Sequence, residues 1–155
     1  QYAGKFCAAL DRQHPRDLFD VMLFFETHTI TEALKKAFLV YLICGNRPIS
    51  EIIHPNLIDQ RVLYAEQFQG MVENGPSYEE LDFARTKLIQ AIDQCLNDDD
   101  RSFLLSVKKG EPDWGLLGIP NVERLPGVIW KLMNIQRMTP ERRHLALQVL
   151  ESKLA

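Results

Sequence analysis

Five ionisable side chains within the first twenty residues have the types and spacing that phosphoryl transfer uses: Lys5, Arg12, Arg16, Asp17 and Asp20. Lys5 and Arg12 are seven residues apart, near two helical turns, so on one continuous helix they project from one face. Asp17 and Asp20 are three apart on the next helix, beyond a corner at Pro15. Two cations can thus oppose two carboxylates. Cations so placed can hold a triphosphate and offset developing charge, while carboxylates orient them or act as a general base. The same residues also describe a structural ion-pair cluster, with Arg16 bonded to Asp20 and Asp17 near the start of the second helix. Spacing alone leans to that second reading, because such networks are common in helical cores.

The elements that must position these groups are helices. Tyr2, Phe6 and Leu10 repeat every four residues, which predicts a helix over 1–10, and Pro15 opens a second. The second is apolar on nearly all sides from Leu18 to Phe25, which predicts burial between layers. Thr31 caps a predicted helix over 32–44, stopped by Gly45, Asn46 and Pro48. Ser50 is expected to cap a short turn that Pro55 and Asn56 break, with 57–70 irregular or partly helical. Ser77 and Glu80 have capping-box spacing ahead of a helix reaching Leu96. Asp98, Asp99 and Asp100 place acidic groups at the start of a helix that Gly110 ends. Residues 111–126 read as a loop packed down by Trp114, Leu116, Leu117 and Ile119, followed by helices over 127–138 and from Pro140 to the end, the latter capped by Thr139. No strand alternation competes. The predicted fold is all-α, a compact domain of about six to eight helices over residues 1–155.

At 155 residues and 46% hydrophobic composition the chain can bury one real core. A net charge of -3 excludes a broadly basic nucleic-acid surface but not a local basic patch. Cys7, Cys44 and Cys95 stand in apolar stretches and read as reduced core thiols of a cytoplasmic protein. No apolar run approaches the roughly 20 residues that span a bilayer, since Lys35 and Lys36 interrupt the longest, and no signal peptide opens the sequence.

The remaining candidates have plainer readings. His14, His28, His54 and His144 lack zinc-site spacing, and His14 reads as a turn histidine bonded to backbone, though it could touch a phosphate. Lys108-Lys109 and Arg142-Arg143 read as helix-end dipole compensation, with RNA contact as the minority reading. Trp114 and Trp130 neighbour aliphatic residues and are expected in the core.

The run from Lys5 to Asp20 resembles the AbiEii family of nucleotidyltransferase toxins, whose C-terminal motifs run as a Lys, small and apolar residues, an Arg, then Arg-Asp-x-x-Asp. Asn46-Arg47-Pro48-Ile49, Phe68-Gln69-Gly70-Met71, Ser102-Phe103-Leu104-Leu105-Ser106 and Gly110-Glu111-Pro112-Asp113-Trp114 resemble later phrases of one branch, so the resemblance covers nearly the whole chain. It implies that a polymerase-β-like core supplies a Gly-Ser followed by metal-binding acidic residues, and that the motifs between Lys5 and Asp20 complete the site. By that analogy Lys5 contacts nucleotide phosphates, Asp17 is the first candidate for the essential late carboxylate with Asp20 behind it, and Arg12 and Arg16 position phosphates or carboxylates.

No Gly-Ser followed by paired acidic residues occurs in residues 1–155. Asp98 and Asp100 have Asp-x-Asp spacing but read as helix-cap residues. The expectation is therefore a C-terminal helical portion, inactive alone, with the core and the ligands of its Mg²⁺ mainly upstream of Gln1 and no metal ligand within residues 1–155. The resemblance implies that the complete protein serves phage defence by abortive infection, transferring nucleotides from an NTP to an RNA acceptor such as tRNA until a cognate antitoxin counters it. The alternatives are a non-catalytic interaction module that binds an antitoxin or partner domain, and a degenerate family member.

Overall fold

The corner at Pro15 is built by three consecutive residues. Helix α1 (Tyr2–Arg12) ends at Gln13, whose left-handed backbone (φ 54°) lets its N–H donate to the Ala9 carbonyl. His14 then caps α2 (Pro15–Thr27), its ring Nδ1 accepting from the Arg16 N–H at 3.1 Å, and Pro15 occupies the first helical position, where no N–H is needed. The two helices fold back on one another, and their aromatic faces meet: Phe24 lies 5.0 Å from Phe6 and 4.8 Å from Tyr2, ring centroid to ring centroid, edge to face. Burying each such ring stabilises the fold by about 1.5–3 kcal/mol.

The computed structural model describes all of residues 1–155 and contains helices only. Beyond the corner come α3 (Glu32–Cys44), α4 (Ile49–Ile53), α5 (Arg61–Gln67), α6 (Tyr78–Cys95), α7 (Asp98–Lys109), α8 (Trp114–Leu117), a 3-10 turn (Val122–Arg124), α9 (Pro126–Arg137) and α10 (Pro140–Leu154). Seven helices of eleven residues or more carry the fold, within the predicted number; the short α4, α5 and α8 bring the total to ten. Ser77 and Glu80 form the predicted capping box. A second box closes the start of α7: Asn97 caps it, and Asp100, expected as a helix-cap residue, returns a bond to the Asn97 N–H. Ser50 does not cap α4; it lies inside that helix, buried, because Pro48 already begins the turn.

Helix α1 sits at the centre, packed against α2, α3, α4 and α6, while α2 also lies on α6, α3 on α9, and α7 on α10. Its inward face is Ala3, Phe6, Ala9 and Leu10, part of one contiguous apolar core that runs on to Leu150 and Leu154 of the last helix. Small residues permit the closest approaches. A Cβ on Gly127 would stand 3.0 Å from Cys44 Cβ, so glycine lets α9 lie on the end of α3 without pushing the two apart. Trp114 packs on Phe103 at 5.8 Å as expected of a core tryptophan, but Trp130 does not: it is 48% exposed, because Val128, Lys131 and Ile135 form the inward face of α9.

Candidate functional site

Each predicted site residue sits on the paired helices α1 and α2, and four of the five come together as two rungs. Lys5 Nζ donates to Asp20 Oδ2 at 2.6 Å, and Arg12 Nη2 donates to Asp17 Oδ1 at 3.1 Å, with Oδ2 of the same carboxylate 3.0 Å away. The antiparallel course of the helices explains the pairing: the early residue of α1 meets the later one of α2, and the reverse. The hydrogen bond it donates to Asp20 is the main cause that holds the Lys5 ammonium above the ordinary lysine range, and the Asp17 charge reaches it as well.

Both side chains of the outer rung are over a third exposed, Lys5 at 37% and Asp20 at 39%. Arg12 is largely exposed, whereas Asp17 is mostly covered, and its Oδ2 is shielded from water without receiving a hydrogen bond. That oxygen is an acceptor held close to a cation without a hydrogen bond of its own, covered by its surroundings. Arg16 stands apart. Its Nη2 reaches the Gln67 carbonyl at 3.5 Å and Met71 Sδ at 3.4 Å, so the anticipated Arg16 to Asp20 bond is not made and the guanidinium marks the rim toward α5. His14 is the turn histidine expected, engaged with the backbone of Arg16.

The rungs lie on an open face; none of the main cavities is lined by Lys5, Arg12, Arg16, Asp17 or Asp20. Nor does any group of three or more His, Cys, Asp or Glu side chains converge as a metal-binding cluster, and Asp17 and Asp20 each already face a cation. The side chains present therefore do not form a Mg²⁺ site by themselves.

Sequence reasoning missed the polar hub beneath the corner. Gln13 is buried; its Nε2 donates to the Asn56 carbonyl at 2.9 Å, and its Oε1 accepts from the Ile58 N–H at 3.0 Å and from Arg85 Nη1 at 2.7 Å. Arg85 also donates to the Ile58 carbonyl at 2.7 Å, and Tyr78 Oη accepts from the Gln60 N–H at 3.0 Å. One glutamine and one arginine thus fasten residues 56–58 beneath the corner that carries Arg12, Arg16 and Asp17, and Tyr78 holds Gln60. The only signal in the sequence was an arginine on the apolar side of α6.

The body is all-helical and presents two cation and carboxylate rungs on an open face. The family model described as nucleotidyl transferase AbiEii toxin, type IV TA system, matches residues 1–126, and the chain belongs to that family. No curated protein and no solved structure matches the chain.

Proposed function

We propose that this chain forms the helical part of a nucleotidyltransferase toxin, and that its α1 and α2 face closes over a nucleotide bound by a catalytic core outside residues 1–155. The observation that supports this most is the double rung on an exposed surface, with one carboxylate oxygen of Asp17 left without a donor. In this reading Lys5 leaves Asp20 partly or wholly to hold a nucleotide phosphate, Arg12 and Arg16 steer phosphate oxygens, and Asp17 orients the cations or accepts the proton of the attacking hydroxyl. Mg²⁺ would be held by the core's acidic residues. The acceptor would be an RNA such as tRNA, the nucleotide an NTP, and the setting a cytoplasmic phage-defence system with a cognate antitoxin. No helix of this chain is long and apolar enough to cross a membrane.

The test is nucleotide transfer by the complete toxin carrying Lys5→Ala or Asp17→Ala. A fall of roughly 100-fold or more, the size seen when one charge-stabilising group is removed, with unchanged melting temperature, is the expected result. Unchanged transfer would reject it.

A second reading, an interaction module for the antitoxin, is favoured by one observation. Ile129 and Met133 on α9, and Leu145 and Val149 on α10, are exposed apolar pairs at four-residue spacing. Antitoxin binding that survives Lys5→Ala but fails on changing Met133 and Leu145 to polar residues would assign that role to the apolar face and leave the rungs to chemistry.

A further inference from the structure

A second, independent site lies away from the rungs. A cavity of about 330 Å³ opens where four segments converge: the loop after α3, the end of α7, one face of α9 and the start of α10. Its cationic lining comprises Arg47, Lys108, Lys131, Arg137 and Arg142, and no carboxylate lines it. Trp130 stands at its wall with half its surface exposed, on the same side of α9 as Arg137.

The state of each cation sharpens the picture. Lys131 is buried and donates to the carbonyls of Leu42 (3.2 Å), Gly45 (2.9 Å) and Arg47 (2.9 Å), so all its protons cap the end of α3. Arg47 is tied to Asp11 at 2.9 Å and Glu51 at 3.3 Å. Lys108, Arg137 and Arg142 join no ion pair of the fold. Burial and the Lys108 charge together push Lys131 down to about 8, and burial lowers Lys108 as well. Glu51 and Asp11 offset Arg47, and Glu51 acts weakly on Lys108, but Arg137 and Arg142 have no carboxylate partner, and like charges so gathered cost energy that a bound anion would return.

We propose that this cavity binds a nucleotide, its phosphate held by Lys108, Arg137 and Arg142 and its base stacked on Trp130. Arginine forks match phosphate oxygens in pairs, and an exposed indole offers the flat surface on which any base stacks. The protein's overall net charge of -3 leaves this a local attraction rather than a general affinity for polyanions. Two sources share that chemistry, a free nucleotide and the end of a single-stranded RNA.

The experiment is a titration of the full chain with adenosine monophosphate and, separately, with a single-stranded RNA of about eight nucleotides, a common site size, read by tryptophan fluorescence and by calorimetry. Quenching that disappears in Trp130→Phe, and affinity that falls roughly tenfold or more in Arg137→Ala and in Arg142→Ala, as for loss of a charge-assisted bond, are expected. The RNA slope against salt should drop by about 0.7 per arginine removed. RNA binding far tighter than the mononucleotide assigns the site to a strand, and equal binding assigns it to a free nucleotide. Because Arg137 and Arg142 are exposed and unpaired, their variants keep the fold. Affinity unchanged in both, or inorganic phosphate binding as well as the mononucleotide, would overturn the proposal.

Discussion

Gln13 Oε1 lies 2.7 Å from Nη1 of Arg85, joining the α1 corner to a helix residue 72 positions later in the chain. Both side chains are buried, and the same oxygen also holds the Ile58 N–H. Gln13→Ala removes one acceptor from a buried guanidinium and two backbone partners at once. Arg85 keeps its salt bridge with Asp82 and its bond to the Ile58 carbonyl, so the loss expected is about 1–3 kcal/mol, the cost of leaving buried polar groups unpaired, read as a lower urea midpoint. Gln13→Glu, which keeps the acceptors for Arg85 and Ile58 but loses the donor to Asn56, should lose clearly less.

Lys35 and Asp100 form the deepest ion pair, 2.7 Å apart at 3% and 5% side-chain exposure. Asp100 also closes the capping box of α7, so Asp100→Ala leaves a buried ammonium with only the exposed Glu32 and opens a helix end. A destabilisation of about 3–5 kcal/mol is expected, measured by chemical denaturation. The double variant Lys35→Met with Asp100→Asn, which removes the charge and retains a capping oxygen, should recover most of it.

Stability should depend on alkaline pH in two opposed steps. Lys131 is held near 8 in the fold against 10.5 when exposed, so above about pH 8 the unfolded chain binds the extra proton and stability rises. Burial raises Cys7 to about 12 and Cys95 to about 11 against 9.0, so above pH 9 the unfolded chain loses protons that the fold retains, and stability falls. Urea unfolding measured from about pH 7 to 10.5 should therefore show a maximum near pH 9, where the two slopes cancel. Lys131→Met should flatten the rising limb to the part that Lys108 contributes, and Cys7→Ala should soften the falling one.

The two rungs permit a charge exchange. Lys5→Asp combined with Asp20→Lys restores an ion pair between half-exposed groups, and such pairs change stability by under about 1 kcal/mol. Melting temperature should therefore differ little among wild type, single variants and the exchanged pair. Nucleotide transfer by the complete toxin should be lost in the exchanged pair as in Lys5→Ala, since a phosphate placed to meet a cation from α1 would meet a carboxylate. Recovery of transfer by the exchange would show that the pair acts only as a brace.

The parts of this molecule visible in the sequence are those written within a few residues. Pro15, Thr31, the Ser77 box, Gly110 and Thr139 each act on the backbone beside them, and the helices they bound lie where periodicity predicted. The opposition of Lys5 and Arg12 to Asp20 and Asp17 was also legible, because one tight corner fixes how α1 and α2 meet. Which carboxylate Arg16 would face was not, since its partners come from Gln67 and Met71 across an irregular stretch. Arg142 and Arg143 show the limit most clearly. As neighbours they read as one dipole-compensating pair, yet only Arg143 bonds the last carbonyls of α9, while Arg142 turns into the cavity with Lys108. A step of about a hundred degrees along a helix separates those fates, and only tertiary packing decides what lies at each end of it.

The kinship detected in this chain stops at residue 126, but the physical interlocking does not. Lys131 seals the end of α3, Arg101 donates to the Leu154 carbonyl, Lys153 reaches the His54 carbonyl, and Leu150 and Leu154 fill the interior. Residues beyond the family match thus brace the part within it. Trimming the protein to its homologous span would unseat the helices against which the ancestral motif is braced, so the heritable signature and the cooperative unit have different borders.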